Sequence, residues 1–256
     1  MHPAIINASK LILVGDISGA EKALSDIADE HGDHALSVIL EDVAPKDLLA
    51  ILREYDSAKE TVLSLVVSPE QFARAVVLDK LYGERNKDKL RGMMNAVIYK
   101  HADTAPDYLT AIFEQKGGAG ILADYFEGHY EVALNFILRA HLETTPLPFL
   151  DDENILDTEE ISAFFEAFYS SENIMDKVDW GYSRTELADN DWKETLWILF
   201  HEVPDAFDHL IDEVQSRMLA ACQRAAQKIE INPDALDKLL QAICNSSSDD
   251  IEESAI

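Results

Sequence analysis

Basic residues are scarce in this chain. Its 256 residues hold 21 Lys and Arg against 49 Asp and Glu, a formal net charge of -28. A surface of that sign repels phosphate backbones and anionic lipid headgroups, so neither direct nucleic-acid binding nor membrane insertion is expected. Cysteine is nearly absent. Cys222 and Cys244 are the two thiols, too few for a disulfide framework, and their helical apolar surroundings suggest reduced, buried side chains. Glycine and proline are few, at 10 and 8, which argues against collagen-like or low-complexity sequence. No apolar run approaches the roughly 18 residues of a membrane span. The opening MHPAIINASKLILVGD lacks the basic flank and apolar length of a secretory signal. The expected setting is a cytosol, or secretion without a classical signal peptide.

What the chain does contain is 47% hydrophobic residues, enough for a sizeable core. It also restarts helices with one recurring phrase. APKDLLAIL begins at Ala44, APDYLTAIF at Ala105, VPDAFDHLI at Val203 and NPDALDKLL at Asn232. Proline fixes φ near the helical value and lacks the N–H that a first-turn residue leaves unpaired. Asp47, Asp107, Asp205 and Asp234 then put a negative charge where the helix dipole favours it. Ser68-Pro69-Glu70 is a fifth start. The apolar residues that follow keep helical spacing, and no convincing alternating strand separates them. Only the LILV run from Leu11 could be a strand, and it fits a helical turn equally well.

These signals predict helices over 18–30, 33–43, 45–55, 58–67, 69–81, 87–101, 106–115 and 119–141, the last open to a break at Gly128. Short connections imply antiparallel neighbours. The expected fold class is all-α, with antiparallel helical hairpins stacked as an α-solenoid or packed as an irregular bundle.

One segment carries a resemblance. Gly128-His129-Tyr130-Glu131-Val132-Ala133-Leu134-Asn135-Phe136-Ile137 resembles the second-helix segment of an ankyrin repeat. Val97-Ile98-Tyr99-Lys100-His101-Ala102-Asp103 resembles the end of that helix and the turn after it. Gly15-Asp16 with Ala20, Ala23 and Leu24 is a weaker echo. The family's Thr-Pro-Leu-His start is missing, since the matching positions read Ala119-Gly120-Ile121-Leu122, and its period of about 33 residues is not kept. The resemblance implies a helical stack used to bind another protein.

The composition shifts near Thr144. Residues 1–145 hold 23 acidic and 14 basic residues, whereas 146–256 hold 26 and 7. TTPLPFLDDENILDTEE is expected as a long acidic connection. Ile161, Phe164, Phe165 and Phe168 then form a helical stripe, and 179–190 is a second irregular stretch. Helices are expected over 192–201, 205–229 and 233–244. The predicted organisation is a helical repeat-like array over 1–145, an acidic helical part over 146–245, and a disordered acidic tail over 246–256.

No catalytic constellation stands out. His31, Asp33 and His34 have zinc-compatible chemistry, but Gly32 lies at a helix junction, so they are weak metal candidates and no metal is expected. His201-Glu202 opens like a zinc-protease motif, yet Asp205 stands where the second histidine belongs and Pro204 breaks the helix. Asp16 and Gly19 follow an apolar run but lack the phosphate-loop ending. Cys222 has no neighbouring histidine to activate it. No cofactor is expected, and the balance is against an enzyme. Trp180, Tyr182 and Trp192 lie in or beside an acidic irregular stretch, where aromatic side chains serve as partner anchors.

The expected function is a protein–protein interaction scaffold or adaptor, of the kind a bacterial secreted effector would supply, bound to a protein with a basic surface. The alternatives are an enzyme whose active site assembles from distant helices, or an acidic mimic of nucleic acid. Buried ionisable groups converging in a cleft would favour the former.

Overall fold

The computed structural model describes residues 1–55, 59–82, 87–129 and 182–230. Among them are eleven α-helices and no strand, so the fold is all-α. In chain order they are α1 (Pro3–Leu13), α2 (Ile17–His31), α3 (Asp33–Leu40), α4 (Pro45–Glu54), α5 (Leu63–Val66), α6 (Pro69–Tyr82), α7 (Lys87–Ile98), α8 (Ala105–Glu114), α9 (Gly118–Tyr125), α10 (Trp192–Glu202) and α11 (Pro204–Glu230). No helix among the described residues is long and apolar enough to cross a membrane.

Proline opens helices as the sequence predicts, in the first turn of α1, α4, α6, α8 and α11. The caps differ in chemistry. His2 accepts the Ala4 N–H through Nδ1 at 3.3 Å. Asp16 accepts that of Gly19 at 2.9 Å. At α6 the Ser68 hydroxyl accepts the Gln71 N–H at 3.3 Å while the Gln71 amide oxygen accepts the Ser68 N–H at 3.0 Å, a reciprocal capping box.

Several boundaries depart from expectation, among them the end of α3 at Leu40 rather than residue 43. The LILV run belongs to α1, a helix that the sequence pattern alone leaves undecided. The helix expected over 58–67 shrinks to the single turn α5. Thr61 explains this: its hydroxyl donates to Glu21 Oε1 of α2 at 2.6 Å and accepts the Leu63 N–H at 3.2 Å, so it caps a helix that can only begin after it. α9 stops at Tyr125, and the turn behind it passes Gly128 at φ +86°. His129 is the last described residue there, so 130–137 of the ankyrin-like segment lie outside the described residues. Val97 and Ile98 end α7, and Tyr99–Thr104 continues as a 3-10 turn.

Packing follows a regular order. α2 contacts α4, α4 contacts α6, α6 contacts α8, and α8 contacts α10. In parallel α3 contacts α5, α5 contacts α7, α7 contacts α9, and α9 contacts α11. Alternate helices therefore form two rows, and each helix covers part of its neighbour's apolar stripe. α1 closes one end against α2 and α4. A continuous core runs from Ile5 to Val214, with Leu24, Leu52, Phe72, Ile98, Ile112, Tyr125 and Leu199 fully enclosed. The hairpin of α10 and α11 shares that core with the helices of the first half.

The turn between α8 and α9 shows how tightly these helices meet. Gly117 adopts φ +90°, open to glycine at little cost. Gly118 presses against the end of α8, where an added Cβ would lie 1.9 Å from the Ile112 carbonyl oxygen. Backbone cannot yield to such an overlap. Gly118→Ala is expected to cost more than about 3 kcal/mol, and Gly117→Ala about 1–2 kcal/mol for the left-handed backbone alone. Urea denaturation of the two variants would test that order.

Candidate partner-binding surface

The three aromatic candidates meet different fates. Trp180 lies outside the described residues. Tyr182 is 38% exposed, and its carbonyl accepts the Trp197 indole N–H at 3.1 Å. Trp192 opens α10 and is half-buried, stacked at 5.0 Å and 11° on the His129 ring with the Lys193 ammonium above its face. Trp192 and Trp197 stand about 140° apart around α10. Tyr182 and Trp192 are thus held by different sides of that helix. The residue that meets Tyr182 is instead Trp197, whose ring lies 4.3 Å from that of His201. Trp197 is half-buried.

The irregular stretch is pinned from both ends. Ser183 and Glu186 form a capping box, and those bonds from Ser183 hold the Glu186 carboxyl below its ordinary range. Arg184 bonds the buried Glu194 carboxylate at 3.0 Å and approaches Glu202 at 3.6 Å. Asn190 takes φ +52°, and its N–H reaches Glu194 at 3.3 Å. Asp189 accepts the N–H groups of Asp191 and Glu194 at 2.9 and 3.2 Å, capping α10.

Beneath this stretch is a polar cluster that sequence reasoning did not find. Asn95 donates to Asp191 Oδ1 at 2.7 Å. Tyr125 donates to Asn95 Oδ1 at 2.7 Å, and its hydroxyl lies 2.9 Å from that of Thr195. Tyr99 donates to the Asp191 carbonyl at 2.8 Å and also meets the Thr195 hydroxyl. Thr195 and Tyr125 are fully buried. Asn95 near the end of α7 and Tyr99 at the start of the 3-10 turn that continues it stand four residues apart, as do Asp191 and Thr195 at the start of α10. These polar positions within apolar stripes were the available signal. Their pairing across more than 90 residues had no local trace.

The cluster joins α7, α9 and α10, and its chemistry is that of a joint. Burial pushes the Tyr99 and Tyr125 hydroxyls well above the ordinary phenol range, so both keep their protons at neutral pH and donate. An open pocket of about 270 Å³ lies alongside, lined by Ser64, Asn95, Tyr99, Lys100 and Asn190 among others. Lys100 there pairs with Glu60, which lowers that carboxyl's pKa.

On α11 the first turns carry Asp205, Asp208 and Asp212, all exposed and within a sector of about 60°. Partial burial, then the charges of Asp212 and Asp205, raise the Asp208 pKa. His209 lies among them, its Nδ1 2.8 Å from the Asp205 carbonyl and its ring 5.0 Å from Phe113. Exposed Glu202 precedes the row, beside His201, whose pKa is lowered by partial burial against the opposing pull of Glu202.

The metal candidates do not converge. His31, Asp33 and His34 are all exposed, around Gly32 at φ +86°, and His31 Nε2 lies 3.8 Å from Glu30. Among the described residues no three His, Cys, Asp or Glu side chains are placed to share a metal ion. No protein-family model, curated protein or solved structure matches the chain.

Two outcomes follow from the polar cluster. Asp191→Ala removes the acceptor of Asn95 and is expected to cost about 1–3 kcal/mol, measured by chemical denaturation. The buried phenols also set an alkaline limit. Burial, with the nearby charges of Glu70 and Asp107, pushes Tyr108 up to about 12, and Tyr99 and Tyr125 shift the same way. Unfolded phenols release their protons near pH 10, where the folded state retains them. The unfolded state then binds fewer protons, so stability should fall as pH rises from about 10 through 12. Tyrosine absorbance and circular dichroism, followed together, should show these residues ionising only with the loss of helix.

Proposed function

We propose that the chain is a non-catalytic helical interaction protein whose α10–α11 hairpin binds a protein with a basic surface. The observation that carries this reading is the row of Asp205, Asp208 and Asp212 along one exposed side of α11, with a raised Asp208 pKa to which its neighbours' like charges contribute. Holding carboxylates this close costs electrostatic free energy in the free protein. An arriving cation relieves that repulsion, which makes the row a better receptor than isolated surface carboxylates. The net charge of -28 adds a long-range field that draws basic partners and raises their encounter rate.

The aromatic group at the end of α10, on the other side of the same turn, suits the same partner. Tyr182, 38% exposed beside Trp197, offers a ring on which a guanidinium can stack. In this reading Tyr182 is the aromatic anchor. Trp192 is already covered by His129 and fits that role less well. The rows of helices act in this reading as a rigid support that keeps the acidic and aromatic groups in fixed relation.

A Lys- and Arg-rich model peptide tests the proposal. Its binding, followed by tryptophan fluorescence, should weaken steeply between low and physiological salt. The triple variant D205N/D208N/D212N should bind at least about tenfold more weakly at low salt and with a flatter salt dependence. D29N/E30Q/D33N, which changes acidic residues around α2 and α3, should bind nearly as the parent does. Equal losses in the two variants would mean that general charge, rather than the α11 row, governs binding. The single change Asp208→Asn should raise the melting temperature at low salt, and the gain should shrink at high salt.

A further inference from the structure

The acidic character of the molecule stops at one end. Between Met1 and Gly15 there is no Asp or Glu. Helix α1 turns Ile5 and Ala8 into the core, but its opposite side leaves Ile6 43%, Leu13 79% and Val14 78% exposed. Here the outer face is an apolar ridge whose charged side chain is Lys10, exposed and without an ion-pair partner among the described residues.

Beside the ridge runs a groove between α1 and α2. It is an open depression of about 430 Å³ lined by Ala4, Asn7, Gly19, Lys22, Ala23 and Asp26, together with the edge of Pro3. The small side chains leave room for an inserted aliphatic group. The carboxylate of the groove is Asp26, which bonds Lys22 at 3.3 Å and remains 49% exposed. Ridge and groove therefore lie side by side on one helix pair, the ridge carrying Lys10 and the groove the Lys22–Asp26 pair, whose carboxylate keeps an exposed side for a second cation.

We propose that this face pairs with the same face of a second copy of the chain, about a two-fold axis. In such a contact each patch must fit itself: what protrudes on one copy enters the recess of the other, and the reverse happens on the far side of the axis. Ile6 and Leu13 supply the protrusion, and the groove supplies the recess. Lys10 of each copy then faces Asp26 of the other. Charge selects this occupant. Two molecules of net charge -28 repel one another over most of their surfaces. The α1 ridge is a face on which they can meet without opposing carboxylates, and the contact it forms is complementary rather than like-charged. A bilayer surface is a poorer occupant, because the face carries one lysine and is flanked by an acidic protein that anionic lipid repels.

The full chain in sedimentation equilibrium, over about 1 to 200 µM, gives the test. A reversible dimer is expected. Ile6→Asp with Leu13→Asp should weaken it at least about tenfold while leaving the helical circular dichroism unchanged, since both side chains are solvent-exposed. Lys10→Glu alone and Asp26→Lys alone should each weaken the dimer, and the two together should restore it. Rescue by the double charge reversal is an effect that a mere loss of apolar surface would not produce. A parent chain that stays monomeric throughout overturns the proposal. So does a dimer indifferent to the Ile6 and Leu13 changes, or a monomer that binds neutral phosphatidylcholine vesicles through Leu13.

Discussion

From α2 onward, each helix here has part of its apolar stripe covered by a helix two places along the chain. α4 spans ten residues and α9 eight, lengths at which an isolated helix is marginal in water. They persist because α6 lies against α4, and α7 and α11 against α9. This constraint explains why the chain repeats one helix-start phrase. A proline and an aspartate set where a helix begins, and so which residues of its stripe arrive opposite the neighbour. Phe72 and Tyr108, from starts 37 residues apart, meet edge to face at 5.8 Å, and the Tyr108 hydroxyl donates to the Val67 carbonyl at 2.7 Å.

Apolar stripes alone are permissive about register, and polar groups remove that freedom. Arg53 holds Asp79 at 2.6 Å between α4 and α6. Arg217 of α11 bonds Asp124 at 2.6 Å and the Gly120 carbonyl at 2.8 Å, both on α9. Glu21 of α2 accepts from Thr61 ahead of α5. The Asn95–Tyr125–Asp191–Thr195 cluster is the largest of these fasteners and the one most removed from water. A slipped hairpin would leave several of its groups buried and unsatisfied, each at a cost of about 1–3 kcal/mol. Fasteners of this kind make one docking of α10 better than its alternatives.

The sequence exposed the helical class and most boundaries because both are local properties. The starts at Pro45, Pro69, Pro106 and Pro204 combine a fixed φ with first-turn charge, and neither depends on tertiary neighbours. α5 was misjudged because Thr61 answers to Glu21, 40 residues away. α1 was undecided because its stripe is narrow, with apolar residues on the exposed side as well as the buried one. The aromatic candidates were partly legible. An acidic setting marked Tyr182 and Trp192 alike, but only three-dimensional placement separates an exposed ring from one stacked on His129. The polar cluster was illegible for the same reason: asparagine and threonine within a helix gain their meaning from what stands opposite.

The separation between Asn95 and Asp191 also bears on the order of events during synthesis. At roughly 5–20 residues per second, Asn95 leaves the ribosome roughly 5–20 seconds before the residue it will bond. α7 and α9 have time to pack in that interval, with the amide of Asn95 and the hydroxyl of Tyr125 hydrated on an open flank. The nascent array thus waits with a wet, polar notch in an otherwise greasy edge. Water must satisfy those groups until the hairpin that completes the notch emerges.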